Sequence, residues 1–186
     1  MREKKLVIFD FDGVIYDSEP LHFKSFNYAL KPLKVEITKE VYYKTYCSYD
    51  DKGFFKNFLE DNQIPNDKVL IDKLIKEKHF FFDKNFDSET SIYSGSVELV
   101  KRLSKRYVLG IGSGARREEI VRVLKREGLL SNFEEIVSSD ETTYPKPNPE
   151  IYLRIFLHFG IYPFDALVFE DSHYGREAAV SSGAQL

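Results

Sequence analysis

Asp10-Phe11-Asp12-Gly13-Val14 sets two carboxylates one residue apart, directly after the apolar run Leu6-Val7-Ile8-Phe9. Two acids at that spacing can hold a hard cation such as Mg²⁺, or one can attack as a nucleophile while the other moves a proton. Gly13 lets the backbone turn closely there. Taken alone, the pattern also suits an ordinary acidic turn. A second acidic pair, Glu170-Asp171 followed by Ser172, comes after a similar run, Ala166-Leu167-Val168-Phe169. If both runs are neighbouring parallel strands, their C-terminal ends bring Asp10, Asp12, Glu170 and Asp171 to one place, and acids converging there demand a cation.

Two further segments fit an anionic ligand. Ile111-Gly112-Ser113-Gly114-Ala115 is a small-residue turn whose backbone N–H groups and Ser113 hydroxyl can face a phosphate. A plain strand-to-helix turn has the same composition. Arg116 and Arg117 follow, either assisting the anion or forming a solvated helix face. In Pro145-Lys146-Pro147-Asn148-Pro149, rigid backbone on both sides positions one ammonium with little entropy left to lose.

These segments need strands to carry them. Leu6 to Phe9, Tyr107 to Ile111, Glu135 to Val137 and Ala166 to Phe169 read as strands covered on both faces. Helices are expected over Val97 to Leu103, Glu118 to Glu127 and Glu150 to Phe159, the last beginning just after Pro149. Strands alternating with helices imply right-handed crossovers and a doubly wound parallel α/β sheet. Between the first two strands, Tyr16 to Tyr93 shows no strand pattern and reads as helices. Ser18-Glu19-Pro20 starts one, Pro32 stops it, Thr38 caps the next, and Phe54, Phe55, Phe58 and Leu59 mark another apolar face. A further helix, entered through Pro65-Asn66-Asp67, is marked by Val69, Leu70, Leu74, Ile75 and Phe80-Phe81-Phe82. The division expected is residues 1–15 with 94–186 as a Rossmann-like core and 16–93 as an all-helical insertion, a candidate lid.

Composition excludes several classes. The 186 residues are 42% hydrophobic and 31% charged, which suits a folded chain rather than a disordered one. Lys plus Arg number 27 against 30 Asp plus Glu, a net charge of −3. That balance announces neither a nucleic-acid nor a membrane-surface binder. After Met1-Arg2-Glu3-Lys4-Lys5, the apolar run before Asp10 is too short for a signal peptide or a membrane span, so a cytoplasmic protein is expected. No sequence feature sets the oligomeric state, and a monomer is the expectation. The single cysteine, Cys47, has no internal disulfide partner, suits a reducing compartment and reads as structural. His79 and His158 lie in helical patterns without metal-ligand spacing, and His173 reads as a loop cap.

Together the four segments resemble the haloacid dehalogenase superfamily of aspartate-nucleophile phosphotransferases. Asp10-Phe11-Asp12-Gly13-Val14-Ile15 resembles the first motif, Ser113 the second and Lys146 in Lys-Pro-Asn-Pro-Glu the third. Glu170-Asp171-Ser172 with Gly175 and Ala178-Ala179 resembles the fourth. The helical insertion resembles the cap of the β-phosphoglucomutase-like and phosphoglycolate phosphatase-like branch. Asp12 favours phosphoryl over halide chemistry, because dehalogenating members lack that second aspartate.

The resemblance implies a phosphatase that hydrolyses a small phosphorylated metabolite, with Asp10 as nucleophile and Asp12 as acid and base. Mg²⁺ would be held by Asp10, the Asp12 carbonyl and Asp171 with Glu170 close by. Ser113, Gly114 and Lys146 would bind the phosphoryl group, and cap closure would exclude bulk water. His22, Tyr49 in Cys47-Ser48-Tyr49-Asp50-Asp51-Lys52, and Arg116 are possible substrate contacts. A phosphosugar mutase is the alternative within the family. A receiver-type signalling module fits the long insertion and the acids at both strands poorly, and an inactive binding fragment fits the intact motifs poorly. Members of the family usually continue beyond the fourth-motif helix, so a core incomplete at its C-terminal part is expected. That means a four-stranded main sheet with Ala166 to Phe169 at its edge.

Overall fold

The computed structural model describes residues 5–47 and 49–186. Met1–Lys4, part of the leader reading, and Ser48, in the segment containing Tyr49, lie outside the described residues. The chain divides into two compact units, Met1–Asp17 with Ser91–Leu186, and Ser18–Thr90.

The first unit is built on four parallel strands, β1 (Leu6–Phe9), β4 (Val108–Gly112), β5 (Glu135–Val137) and β6 (Ala166–Phe169), in the order β5-β4-β1-β6. All four residues of the central β1 are buried, the outcome expected of an apolar run covered on both faces. Phe9 is level with Ile111 on one side and Phe169 on the other, so the residues that follow these strands emerge along one edge of the sheet.

Four helices connect and cover these strands: α5 (Ser96–Leu103), α6 (Arg117–Arg126), α7 (Glu150–Phe159) and α8 (His173–Ser181). Tyr152, Ile155 and Phe156 of α7 and Ala178 and Ala179 of α8 pack with β1 residues Leu6 and Ile8 in one core cluster. Each large apolar side chain removed from water there contributes about 1.5–3 kcal/mol. Strand β4 starts and ends one residue later than its apolar run suggests. The Tyr107 N–H donates to the Leu103 carbonyl and closes α5, while Gly112 pairs with Val137. Strand β6 lies at the sheet edge as expected. One parallel bridge, Leu167 with Gln185, extends pairing past it: the Val168 N–H donates to the Gln185 carbonyl at 2.8 Å.

A correction concerns the stretch from Tyr16 to Tyr93. It opens and closes on strand, β2 (Tyr16–Asp17) pairing antiparallel with β3 (Ser91–Ile92) through Tyr16 with Ile92 and Asp17 with Ser91. Two residues a side are too few to leave an alternation in the sequence. The pair draws Tyr16, Asp17 and the residues from Ser91 into the sheet unit, so the boundaries fall inside those read at 16 and 93.

The second unit is helical: α1 (Glu19–Leu30), the short α2 (Lys39–Val41) continuing into a π-helical turn at Tyr42–Tyr46, α3 (Asp51–Asp61) and α4 (Lys68–Glu89). Thr38 caps α2 by accepting the Val41 N–H. Ser18 sits at the start of α1 without a side-chain cap bond. Phe26, Phe54 and Phe58 stack at the centre of this unit's own core. The face of α4 differs from the one expected. It buries Ile71, Leu74, Lys78, Phe82 and Phe86, while Val69 and Phe80 are exposed, because steps of three and four from Ile71 lead through Lys78 and leave Phe80 on the far side. The Lys78 ammonium meets Asp51 at 2.9 Å and lies over the Phe26 and Phe82 rings.

Candidate active site

At the sheet edge, the Asp10 N–H donates to the Phe169 carbonyl at 2.9 Å and carries strand pairing one residue past β1. Its buried side chain thereby faces the loop after β6. Carboxylate oxygens of Asp10, Glu170 and Asp171 all lie within 4.8 Å of one another. The Lys146 ammonium reaches this group, 2.5 Å from Glu170 Oε1 and 3.1 Å from Asp10 Oδ1. The second contact is close enough for an ion pair but is not aligned as a hydrogen bond, so Asp10 Oδ1 is buried without a hydrogen-bond partner among the described residues. The other Glu170 oxygen accepts from the Ser172 N–H and hydroxyl, both at 2.9 Å. Ser172, not His173, caps α8, its hydroxyl oxygen accepting the Gly175 N–H.

Two glycines make room for these acids. Gly13 has φ +76°, and a Cβ there would also collide with the Asp171 carboxylate. Gly175, inside α8, leaves the space that Glu170 occupies. The glycine of the first acidic turn is thus required by a partner about 160 residues away as well as by its own backbone.

The electrostatics are those of too many acids around one base. Burial pushes the Asp10 carboxyl up; Lys146 opposes this and Glu170 reinforces it. Burial and Glu170 raise Asp171. Burial acts to raise Glu170 too, but Lys146 and the Ser172 donors outweigh it and hold it below the usual range. Burial would lower Lys146, yet Asp10, Tyr152 and Glu170 carry it well above an ordinary lysine. With all three ionised, the carboxylates against one ammonium leave two negative charges, the complement of one divalent cation, and the raised Asp10 and Asp171 show that the fold alone does not balance them. The orphaned Asp10 oxygen and an all-oxygen donor set fit Mg²⁺ chemistry.

The Asp12 carboxylate is not in the trio. Ser113, buried just past β4, has its N–H bonded to the Val137 carbonyl, and its hydroxyl oxygen accepts the Ala115 N–H at 3.1 Å. Gly114 is exposed, with open space where a side chain would be. Arg116 is engaged at the start of α6, its guanidinium on Glu119 at 2.5–2.8 Å, while Arg117 bonds Glu141. In the helical unit, the His22 ring packs on Phe82, its centroid 4.4 Å from that of the phenylalanine. Tyr49 is 43% exposed. His79 bonds Asp51, His158 meets Glu135, and the Cys47 thiol donates to the Tyr43 carbonyl. One residue escaped the sequence reading. Tyr152, fully buried on α7, donates its hydroxyl to Glu170 Oε1 at 3.3 Å and sets its ring under the Lys146 ammonium at 5.2 Å. Its place six residues after Lys146, in the first turn of the helix that follows, was the available signal.

Among the described residues no helix is long and apolar enough to cross a membrane. The chain is 29% identical over 179 residues to a phosphorylated carbohydrates phosphatase of Thermotoga maritima, covering 96% of this chain and 82% of that protein. It is 26% identical over 184 residues to the fructose-1-phosphate phosphatase of Escherichia coli, covering 95% and 92%. Among solved structures, a predicted phosphoglycolate phosphatase from Haemophilus somnus superposes with a TM-score of 0.88 at 22% identity, over 99% of this chain and 84% of the other, a likeness of fold. A putative β-phosphoglucomutase from Thermotoga maritima gives 0.71 at 27% identity, over 97% and 82%. The haloacid dehalogenase-like hydrolase family model matches residues 7–186, and with its acids, lysine and sheet order in place the chain belongs to that family, among its phosphatases.

Proposed function

We propose that this chain is a Mg²⁺-dependent phosphomonoester hydrolase of small phosphorylated metabolites, sugar phosphates foremost, working through an aspartyl-phosphate. The carrying observation is the buried Asp10 carboxylate, with one oxygen lacking a hydrogen-bond donor, beside Lys146 and two further acids. In this reading Asp10 attacks phosphorus, an Asp–phosphorus bond forms as the ester P–O bond breaks, and Asp12 gives its proton to the leaving oxygen. Asp12 then takes a proton from water, whose oxygen bonds to phosphorus as the Asp10 bond breaks and phosphate departs. Lys146, Ser113 and the Gly114 N–H hold the phosphoryl oxygens. Mg²⁺, held by Asp10, Asp171 and the Asp12 carbonyl with Glu170 close by, supplies neutralising charge when bound.

The test is phosphate release from a panel including fructose 1-phosphate, other hexose phosphates and phosphoglycolate. Turnover that requires Mg²⁺ and is lost with EDTA and with Asp10→Asn supports the reading; turnover that survives both overturns it. A mutase reading draws on the β-phosphoglucomutase likeness at 27% identity. It gains the upper hand if β-glucose 1-phosphate with a trace of bisphosphate yields glucose 6-phosphate faster than free phosphate.

A further inference from the structure

The Lys146 ammonium has two claims on it. In the structure it is held by Glu170 Oε1 at 2.5 Å and by the charge of Asp10 Oδ1 at 3.1 Å. In the proposed reaction another of its three N–H groups must also face a phosphoryl oxygen, and any shift of the ammonium toward that group lengthens its bond to Glu170. The Glu170 side chain is fully buried, so an oxygen stripped of its partner has no water to replace it. Tyr152 is placed to prevent this. Its hydroxyl already donates to the same Oε1 at 3.3 Å, and its ring face lies 5.2 Å beneath the ammonium.

We propose that Tyr152 is a positioning residue that holds Glu170 Oε1 when Lys146 turns to the phosphoryl group, with its ring as the surface over which the ammonium moves. This rests on the phosphatase reading above. The fold fixes the ring tightly: Tyr152 is fully buried on α7, and a Cβ at Gly112 would come within 3.2 Å of its Cε1 and 3.1 Å of Ile155 Cδ1. The ring is therefore backed by β4 at Gly112, while the hydroxyl is held by Glu170 after β6. A purely packing role needs the ring alone. The hydroxyl is the part that distinguishes the two roles, because phenylalanine keeps the ring, the volume and the cation–π face.

The test compares wild type, Tyr152→Phe, Lys146→Met and the double variant as full-length chains with Mg²⁺. The substrate is p-nitrophenyl phosphate, and calorimetric affinity for inorganic phosphate is a readout independent of turnover. Without its stand-in donor, Glu170 keeps Lys146, so Tyr152→Phe should lower kcat about tenfold and weaken phosphate binding several-fold, with a melting temperature close to wild type. In the Lys146→Met background the same change should have no further effect on phosphate affinity, since no ammonium remains to be released. Tyr152→Phe within twofold of wild type in both readouts overturns the inference, as does an equal loss of phosphate affinity in the Lys146→Met background. A wild-type protein that shows no Mg²⁺-dependent phosphate release overturns the phosphatase reading itself, and the inference with it.

Discussion

Replacing Lys146 by methionine keeps most of the length of the side chain and removes its charge. The Lys146 side chain is 12% exposed and is the cation shared by Asp10 and the fully buried Glu170. Breaking a buried pair while its acids remain costs about 3–5 kcal/mol, which for a chain of this size lowers the melting temperature by roughly 6–20 °C. The penalty should depend on pH with a definite sign. In the wild type Glu170 is held low, so its contribution is present above its unfolded value of about 4.3 and is lost as pH falls through the lower folded value. Without Lys146, burial dominates at Glu170 as it already does at Asp10. The folded state then binds more protons than the unfolded one above about pH 4, and stability falls as pH rises. Urea unfolding in EDTA should therefore show a large gap between variant and wild type at pH 7.5 and a small one at pH 4.5. Mg²⁺ at pH 7.5 should restore part of the difference by replacing one positive charge with two. A variant as stable as wild type at pH 7.5 in EDTA, or a gap equally large at both pH values, would refute the argument.

Three further outcomes follow from the same structure. Saturating Mg²⁺ should raise the melting temperature of the wild type, with about 2.7 kcal/mol of stabilisation at a hundredfold excess over Kd; in Asp10→Asn, which lowers the site's negative charge, a calorimetric titration should give weaker binding. Gly175→Ala should cost about 1–3 kcal/mol by overpacking against Glu170 and weaken Mg²⁺ binding. Gly95→Ala, with φ +87° but open space around it, should cost only backbone strain of about 1–2 kcal/mol and leave Mg²⁺ affinity unchanged in the same titration. In the helical unit, Asp51→Asn and Lys78→Met should each destabilise by about 3–5 kcal/mol, and the double variant by less than their sum, as read by denaturant titration of all four proteins.

The parts of the fold legible in the sequence are those where one physical demand acts on consecutive residues. Strand β1 is buried on both faces and β6 nearly so, and both show as unbroken apolar runs, while the short β5 shows only as Ile136-Val137 after Glu135. The two acid pairs stand out because each directly follows such a run. Features set by a distant partner leave a weaker trace. The β2–β3 pair lasts two residues on each side, below any detectable period. Lys78 sits among lysines and glutamates in Lys76-Glu77-Lys78-His79, and only the position of Asp51 on another helix makes it a core residue. Tyr152 reads as an apolar-face residue of α7 because its hydroxyl partner lies 18 positions away. Arg116 looked available to an anion until Glu119, one helical turn on, took its guanidinium.

The acid cluster is an arrangement that, taken alone, opposes folding. Desolvating three acids is costly, and a fold selected only for stability would surround each with donors. Here the donors are distributed unequally. Glu170 receives Lys146, Tyr152 and two bonds from Ser172, whereas Asp10 keeps one oxygen without a hydrogen bond. The acid left short of donors is the one at the end of the central strand, where its backbone is fixed by pairing to Phe169 and its carboxylate has little freedom to seek another partner. Donors spent on Glu170 secure the position of Lys146. In the proposed reaction, donors withheld from Asp10 leave the oxygen that would bind the cation or form the bond to phosphorus, since a carboxylate saturated with hydrogen bonds is a poor nucleophile. Stability and reactivity are thus separated onto neighbouring residues of one cluster, and Lys146 is the group common to both.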